Sequence, residues 1–271
     1  MARLAAVRLK FIVAYDGSGF AGWQSQRGGR AVQDAIERAF AAIAGCPVRV
    51  HGSGRTDAGV HAKGLCFHAD PPPTRLQPDD WIRALNATLP PTVRILKARQ
   101  VPESFHARFS AIGKIYRYRI FTGRVLSPFD FGRVWHSPGV LRGEALRDAT
   151  SLFVGRHDFS AFSAKRGGPV GDTRRTIHRI DVSVRGNHAA LVFEGDGFLY
   201  KMVRMIAAAC VRCCRGECTT GVLSLALRTG APRWTHVAPA GGLVLEKVLY
   251  GGPSAAAAPD LPAENQMQRD E

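Results

Sequence analysis

Val48-Arg49-Val50-His51, Gly54-Arg55-Thr56-Asp57-Ala58-Gly59-Val60-His61-Ala62 and Leu65-Cys66-Phe67-His68 follow one another in the first third of the chain. The outer two stretches alternate apolar and polar residues as strands do, which predicts that Asp57 sits on a loop between two sheet elements. Gly54 and Gly59 let that loop turn sharply or approach a ligand closely. One carboxylate beside the cation of Arg55, bracketed by glycines, is how a reactive group is displayed. The competing reading is a plain turn, in which the Asp side chain bonds its own backbone.

Upstream of this loop, Phe11, Val13 and Tyr15 alternate until Asp16-Gly17-Ser18-Gly19 breaks the strand. Val32, Ile36, Ala39, Phe40 and Ile43 then recur at helical spacing and stop at Gly45, a C-terminal helix signal. Downstream, a helix over Asp79 to Thr88 ends before Pro90-Pro91, and a strand runs from Val93 to Val101. The result is a β-α-β-α-β pattern. A second set begins near Phe105 with the strand Lys114 to Phe121, where Tyr116 and Tyr118 share one face and Arg117 and Arg119 the other. Helices are expected over Gly143 to Val154 and Phe198 to Arg215, with a hairpin of Ile177–Arg185 and Ala189–Glu194 between them. A short helix, Val222 to Arg228, and a strand, Leu243 to Leu249, close the pattern. Strands and helices mix without strict alternation, so the expected class is α+β with antiparallel sheet. There is no fixed-period repeat, only two similar halves, divided here as residues 1–104 and 105–250.

With 271 residues, of which 45% are hydrophobic and 8% aromatic, the chain can bury a sizeable core as two domains or one large layered domain. Its formal charge is +15. The last segment, residues 251–271, is rich in Ala, Pro and polar residues and reads as a disordered tail. It holds one arginine against Asp260, Glu264, Asp270 and Glu271, a net of −3, which leaves +18 on residues 1–250. A field of that sign concentrates polyanions, nucleic acid first among them. The N-terminus breaks its apolar run with Arg3, Arg8 and Lys10, unlike a signal peptide, and no run reaches transmembrane length. Cys210, Cys213, Cys214 and Cys218 suit one helix better than a disulfide framework, which points to a reducing cytoplasmic compartment. Zinc on that helical face is the sharper alternative, but structural zinc usually draws ligands from two separate turns, so buried small apolar residues are the favoured reading.

Several motifs stand in a fixed order along nearly the whole chain: Ala14-Tyr15-Asp16-Gly17-Ser18-Gly19-Phe20-Ala21-Gly22-Trp23-Gln24, Ala31-Val32-Gln33, the Gly54 to His61 stretch, Phe105-His106-Ala107-Arg108-Phe109-Ser110-Ala111, Tyr116-Arg117-Tyr118, Asp158-Phe159-Ser160, Phe198 to Ile206, and Gly242-Leu243-Val244-Leu245. Together they resemble the tRNA pseudouridine synthase A family. That resemblance implies two ferredoxin-like halves whose largely antiparallel sheets meet at a basic RNA-binding cleft. It implies isomerisation of uridine to pseudouridine at positions 38, 39 and 40 in the anticodon arm of tRNA, by a homodimer that shares the tRNA and uses no cofactor or metal. It further implies Asp57, Tyr116 and Arg204 as catalytic residues, with Arg55, Tyr116, Lys201, Leu243 and Arg108 binding substrate. Two departures stand out: Met205-Ile206-Ala207-Ala208 replaces the family's usual Asn-Ile followed by glycine, and the turn after it is rich in cysteine.

The chemistry also follows from the residues. Forming pseudouridine breaks the N1–C1′ bond, turns the uracil and rejoins it through C5. Cleavage builds positive character on the sugar, which an ionised carboxylate can stabilise or capture, as glycosidase carboxylates do. One Asp suffices because the detached base returns. Whether Asp57 attacks C1′, attacks C6 or removes a 2′ proton is open at this level. Tyr116 could stack on the extruded base or take the C5 proton, against the plainer reading of a packed strand residue. Arg204 would hold Asp57 ionised, where an isolated Arg in an apolar helix would otherwise snorkel. Arg55 could fill the gap left by a flipped nucleotide or form a surface salt bridge, and Lys165, Arg166, Arg174 and Arg175 could touch phosphates or simply face solvent. A noncatalytic RNA-binding module would not need the complete Asp57 stretch. A glycoside or nucleoside hydrolase would need a second acid, and neither Asp16 nor Asp70 has a motif to support it.

Overall fold

The computed structural model describes residues 7–164 and 171–251. Its first half contains β1 (Leu9–Tyr15), α1 (Val32–Ala44), β2 (Val50–Gly52), β3 (His61–Ala69), α2 (Pro78–Thr88) and β4 (Val93–Gln100). The second contains β5 (Ala111–Phe121), β6 (Trp135–His136), α3 (Gly143–Ser151), β7 (Gly155–Asp158), β8 (Arg174–Arg185), β9 (His188–Gly195), α4 (Met202–Cys214), α5 (Thr220–Thr229) and β10 (Leu243–Tyr250). Eight strands lie in the order β4-β1-β3-β10-β5-β9-β8-β7, with β2 added on β3 and β6 on β5. This is the expected α+β class.

The halves join edge to edge into one sheet. Among the described strands every pairing is antiparallel except β5 with β6 and β3 with β10. The last strand therefore crosses back to lie between the halves, antiparallel to β5 and parallel to β3. Local chemistry explains the helix ends. Asp34 accepts the Ala31 N–H at 2.9 Å at the start of α1, and Gly45 takes the left-handed conformation (φ 70°) that stops it. Pro78 opens α2, where its missing N–H has no helical partner to lose, and Pro90 follows its end. Phe11 stacks on Phe67 at 4.8 Å and meets Phe40 edge-on at 5.6 Å, the centre of the first half's core. In the second half, Tyr118, Leu191 and Phe193 are fully buried on neighbouring strands, and α4 packs on β5.

Three expectations change. The helix expected from Phe198 begins at Met202, because Lys201 adopts a left-handed conformation (φ 60°) unusual for a side-chain-bearing residue. The helix expected to reach Val154 stops at Ser151, and the chain enters β7 through Gly155. Strands β6 and β7 have no counterpart in the sequence reading, since two and four residues are too few to show a period. Met205, Ile206, Ala207 and Ala208 are all buried in α4, so the departure there is packed as core. Lys165, Arg166 and the tail from residue 252 lie outside the described residues.

Gly22 (φ 96°) backs onto the Asp57 loop so closely that a Cβ there would stand 2.5 Å from the Thr56 carbonyl oxygen. Gly22→Ala combines that clash with a strained backbone and should lower stability by about 1–3 kcal/mol. Urea unfolding checks it; an unchanged midpoint would contradict the packing described.

Candidate active site

The residues before β3 are held from several sides. The Ser53 N–H donates to the Cys66 carbonyl at 2.8 Å, and the Trp23 N–H to the Thr56 carbonyl at 3.2 Å. The Tyr15 and Thr56 hydroxyls are 2.8 Å apart, buried. The Val60 N–H closes a turn on the Asp57 carbonyl at 3.1 Å. Asp57 is thus carried by a loop tied to β1, β3 and the segment before α1. Its side chain points to α4, where Arg204 Nη1 meets Asp57 Oδ2 at 3.0 Å. Both side chains are largely buried, with 15% and 13% of their surface exposed. The Arg204 Nε donates to the Ala238 carbonyl at 2.7 Å, which fixes the guanidinium from its other side. A carboxylate clamped by a guanidinium in partial burial is oriented, as nucleophilic or electrostatic catalysis requires.

Strand register brings Tyr116 alongside: it pairs with Leu245 of β10, and Leu245 pairs with Ala62 of β3, just past the loop. Its ring is buried and meets Phe198 edge-on at 5.2 Å. Burial pushes the Tyr116 phenol well above its ordinary range, and the negative charge of Asp57 adds to that. The hydroxyl makes no hydrogen bond to a described residue.

A cleft of about 600 Å³ opens here, and Arg55, Asp57, Arg108, Tyr116, Lys201, Arg204 and Leu243 all line it. The structure brings together the seven catalytic and substrate-binding residues that the family resemblance implied. Arg55 is exposed and forms no ion pair among the described residues, so the surface salt bridge is not found. Among the described lining residues Asp57 is the sole carboxylate, facing Arg49, Arg55, Arg108, Lys114, Lys201 and Arg204. A hydrolase with a second acid has no place for it here. Arg174 and Arg175 open β8, and the Arg175 guanidinium donates to the Asp172 carbonyl at 3.0 Å.

Sequence reasoning missed two features. One is Lys114, which lines the cleft beside Gly54. The other is a trio of imidazoles at its edge, His51, His68 and His106, whose ring nitrogens lie within 4.8 Å of one another. Far apart in the chain, they carry no ligand spacing to read. The trio is the group among the described residues whose donor atoms could gather on a metal. However, His68 Nδ1 accepts the Ala107 N–H and His106 Nδ1 accepts the Arg108 N–H, each at 3.1 Å. A neutral ring accepting at Nδ1 carries its proton on Nε2, which turns a hydrogen toward any approaching ion. Burial pushes His68 down to about 4, with His106, His51 and Arg8 adding their charges, and His106 is lowered for similar reasons. The four clustered cysteines form no such group among the described residues. Cys210 is buried, the other three are half-buried, and burial pushes the Cys213 thiol up to about 11.

The match to known proteins is extensive. A family model described as tRNA pseudouridine synthase matches residues 11–110 and 149–251. The chain belongs to the tRNA pseudouridine synthase family. It is 49% identical over 251 residues to the tRNA pseudouridine synthase A of Akkermansia muciniphila, covering 90% of this chain and 95% of that one. Similar proteins of the same name occur in Solidesulfovibrio magneticus (43% over 272 residues; 95% and 97% covered) and Anoxybacillus flavithermus (41% over 246 residues; 90% and 98% covered). Membership makes the chain an isomerase, acting on uridine in tRNA. Asp57, Arg55, Arg108, Lys201, Arg204 and Leu243 fall inside the matched segments, whereas Lys114 and Tyr116 fall between them.

The His68 shift has a consequence for stability. Its folded value lies below the ordinary 6.5, so between about pH 4 and 6.5 the unfolded chain binds a proton that the native state refuses. Its contribution is complete above pH 6.5 and is lost as pH falls. His68→Asn should flatten the decline of Tm across that window, read by thermal unfolding at several pH values. Parallel curves for the two proteins would refute the assignment.

Proposed function

We propose that this enzyme isomerises uridines 38, 39 and 40 in the anticodon arm of tRNA, acting as a cytoplasmic homodimer in which each copy contributes an Asp57 site. The carrying observation is the single carboxylate of Asp57, clamped at 3.0 Å by Arg204 in a cleft otherwise lined by cations. The arm positions, the dimer and the compartment rest on the family resemblance. Exposed Val125, Phe129 and Phe131 leave apolar surface on the segment after β5 for a second copy. The division at residues 104/105 rests on the second set of elements that begins near Phe105.

Three roles are assigned. Asp57 stabilises or captures the glycosidic carbon as the N1–C1′ bond breaks, and Arg204 holds it in that geometry. Tyr116 stacks on the extruded uracil and relays a proton: its phenol, held protonated by burial and by the charge of Asp57, gives its own proton to the uracil anion left when N1–C1′ breaks and takes the C5 proton in return once C5 has bonded to C1′. Arg55, exposed and without an ion pair among the described residues, occupies the gap left by the flipped nucleotide, while Arg108, Lys201 and Leu243 hold the strand and base on either side.

Mapping pseudouridine in unmodified tRNA before and after incubation tests the positions directly; modification elsewhere, or none, would overturn the reading. Asp57→Asn should keep tRNA binding while isomerisation falls by roughly a thousandfold, equivalent to about 4 kcal/mol in the barrier. Arg204→Ala should lose most activity together with some stability, because it strands a half-buried carboxylate. Tyr116→Phe should slow completion by about a hundredfold or more with binding retained. Substantial turnover by folded Asp57→Asn would refute the catalytic assignment.

A further inference from the structure

Lys114 lies on the same face of β5 as Tyr116 and lines the same cleft. Strand register pairs it with Gly195 on β9 and Val248 on β10, neither of which carries a charge. Its ammonium rests over the backbone of Gly54, three residues before Asp57: a Cβ at Gly54 would stand 2.7 Å from Lys114 Nζ. The side chain is largely buried, yet it makes no ion pair and no hydrogen bond among the described residues.

Its charged neighbours are of its own sign. Burial, then Arg108, then Arg175 push the lysine down from its ordinary range. Neither arginine brings an acid with it. Arg108 lies over the Phe109 ring at 5.6 Å, and Arg175 is tied to the backbone carbonyls of Asp172 and Arg174. Asp57, the sole carboxylate among the described lining residues, is engaged by Arg204. Three cations gathered without an anion are unfavourable in the free protein, both from mutual repulsion and from desolvation of the lysine. Nothing among the described residues repays that cost. An incoming anion would, and the polyanion that this enzyme acts on supplies one phosphate per nucleotide.

We propose that Lys114, flanked by Arg108 and Arg175, is a seat for a backbone phosphate of the RNA strand that carries the target uridine, and that Gly54 lacks a side chain so that the ammonium can reach it. The proposal rests on the cleft being the tRNA site. It assigns a binding role to a residue outside the segments matched by the family model. It also gives Gly54 a reason beyond turn geometry: its φ is not in the left-handed region, so the space it leaves is what matters.

Binding of an unmodified tRNA transcript, measured from low to moderate salt, tests this together with thermal unfolding. Lys114→Met keeps the stem and removes the charge. Affinity should fall several-fold at moderate salt, and the slope of log affinity against log salt should drop by about one phosphate, roughly 0.7 to 0.9. Its Tm should equal or exceed that of the wild type, since an uncompensated charge has been removed. Lys114→Arg should restore the slope. Gly54→Ala should weaken binding without unfolding, because only the flexible lysine tip must move aside. An unchanged slope in Lys114→Met, or a lowered Tm with the slope intact, would overturn the proposal. Asp57→Asn, measured in parallel, separates the two levels. If it is inactive while Lys114→Met binds with an unaltered slope, the seat is wrong and the enzyme reading stands; if it is active, the enzyme reading itself fails.

Discussion

The placement of β10 is the constraint from which the site follows. A strand that closes the chain lies between β3 and β5, so backbone hydrogen bonds on both its edges set the two halves at a fixed spacing. Ala62, Leu245 and Tyr116 stand in line across three strands, and the Asp57 loop ends immediately before the first of them. A one-residue slip in β10 would turn Leu243 and Leu245 away from the buried face and move Tyr116 relative to the carboxylate. Without β10, two small α+β halves would have to find this geometry through side chains alone.

The second link runs through α4. Arg204 stands in its first turn, three residues after the left-handed Lys201, and binds both Asp57 and the Ala238 carbonyl. The Ala238 N–H in turn donates to the Arg204 carbonyl at 3.2 Å. The segment leading into β10 is therefore fastened to the residue that orients the carboxylate. Strain at Lys201 belongs to the same arrangement, since starting the helix at Phe198 would have continued regular backbone through the cleft wall.

What could be read from the sequence was what repeats along it. Strand β5 declares itself because Tyr116 and Tyr118 alternate with Arg117 and Arg119, and the structure buries the tyrosines while leaving the arginines half-exposed. Helix α1 declares itself by spacing and by Gly45. The Asp57 loop is legible because its glycines bracket it. Features that depend on contacts remote in sequence were not legible from pattern. Arg204 and Asp57 are 147 residues apart, and only the family resemblance linked them. The parallel pairing of β10 with β3 leaves no local trace, nor does the approach of His51, His68 and His106. Lys114 was read as a strand residue because alternation reports the face it occupies and not the company it keeps there.

The charge distribution explains why such a protein tolerates so many unpaired cations near its centre. Elsewhere on the fold several arginines are matched: Arg8 with Asp70, Arg117 with Glu246, Arg179 with Glu194. Those pairs sit on the sheet and its edges, where they have structural partners. In the cleft, Arg204 is paired with Asp57 and Arg49 with Glu37, whereas Arg55, Arg108, Lys114 and Lys201 form no ion pair among the described residues. Matching the remaining cations internally would stabilise the free protein and would oblige RNA to displace each partner before binding. Leaving them unmatched raises the energy of the empty state instead, and that energy becomes available on binding, when phosphates neutralise the wall and counterions are released. The carboxylate gains from the same arrangement: a surrounding positive field keeps it from repelling the strand that must come close to it.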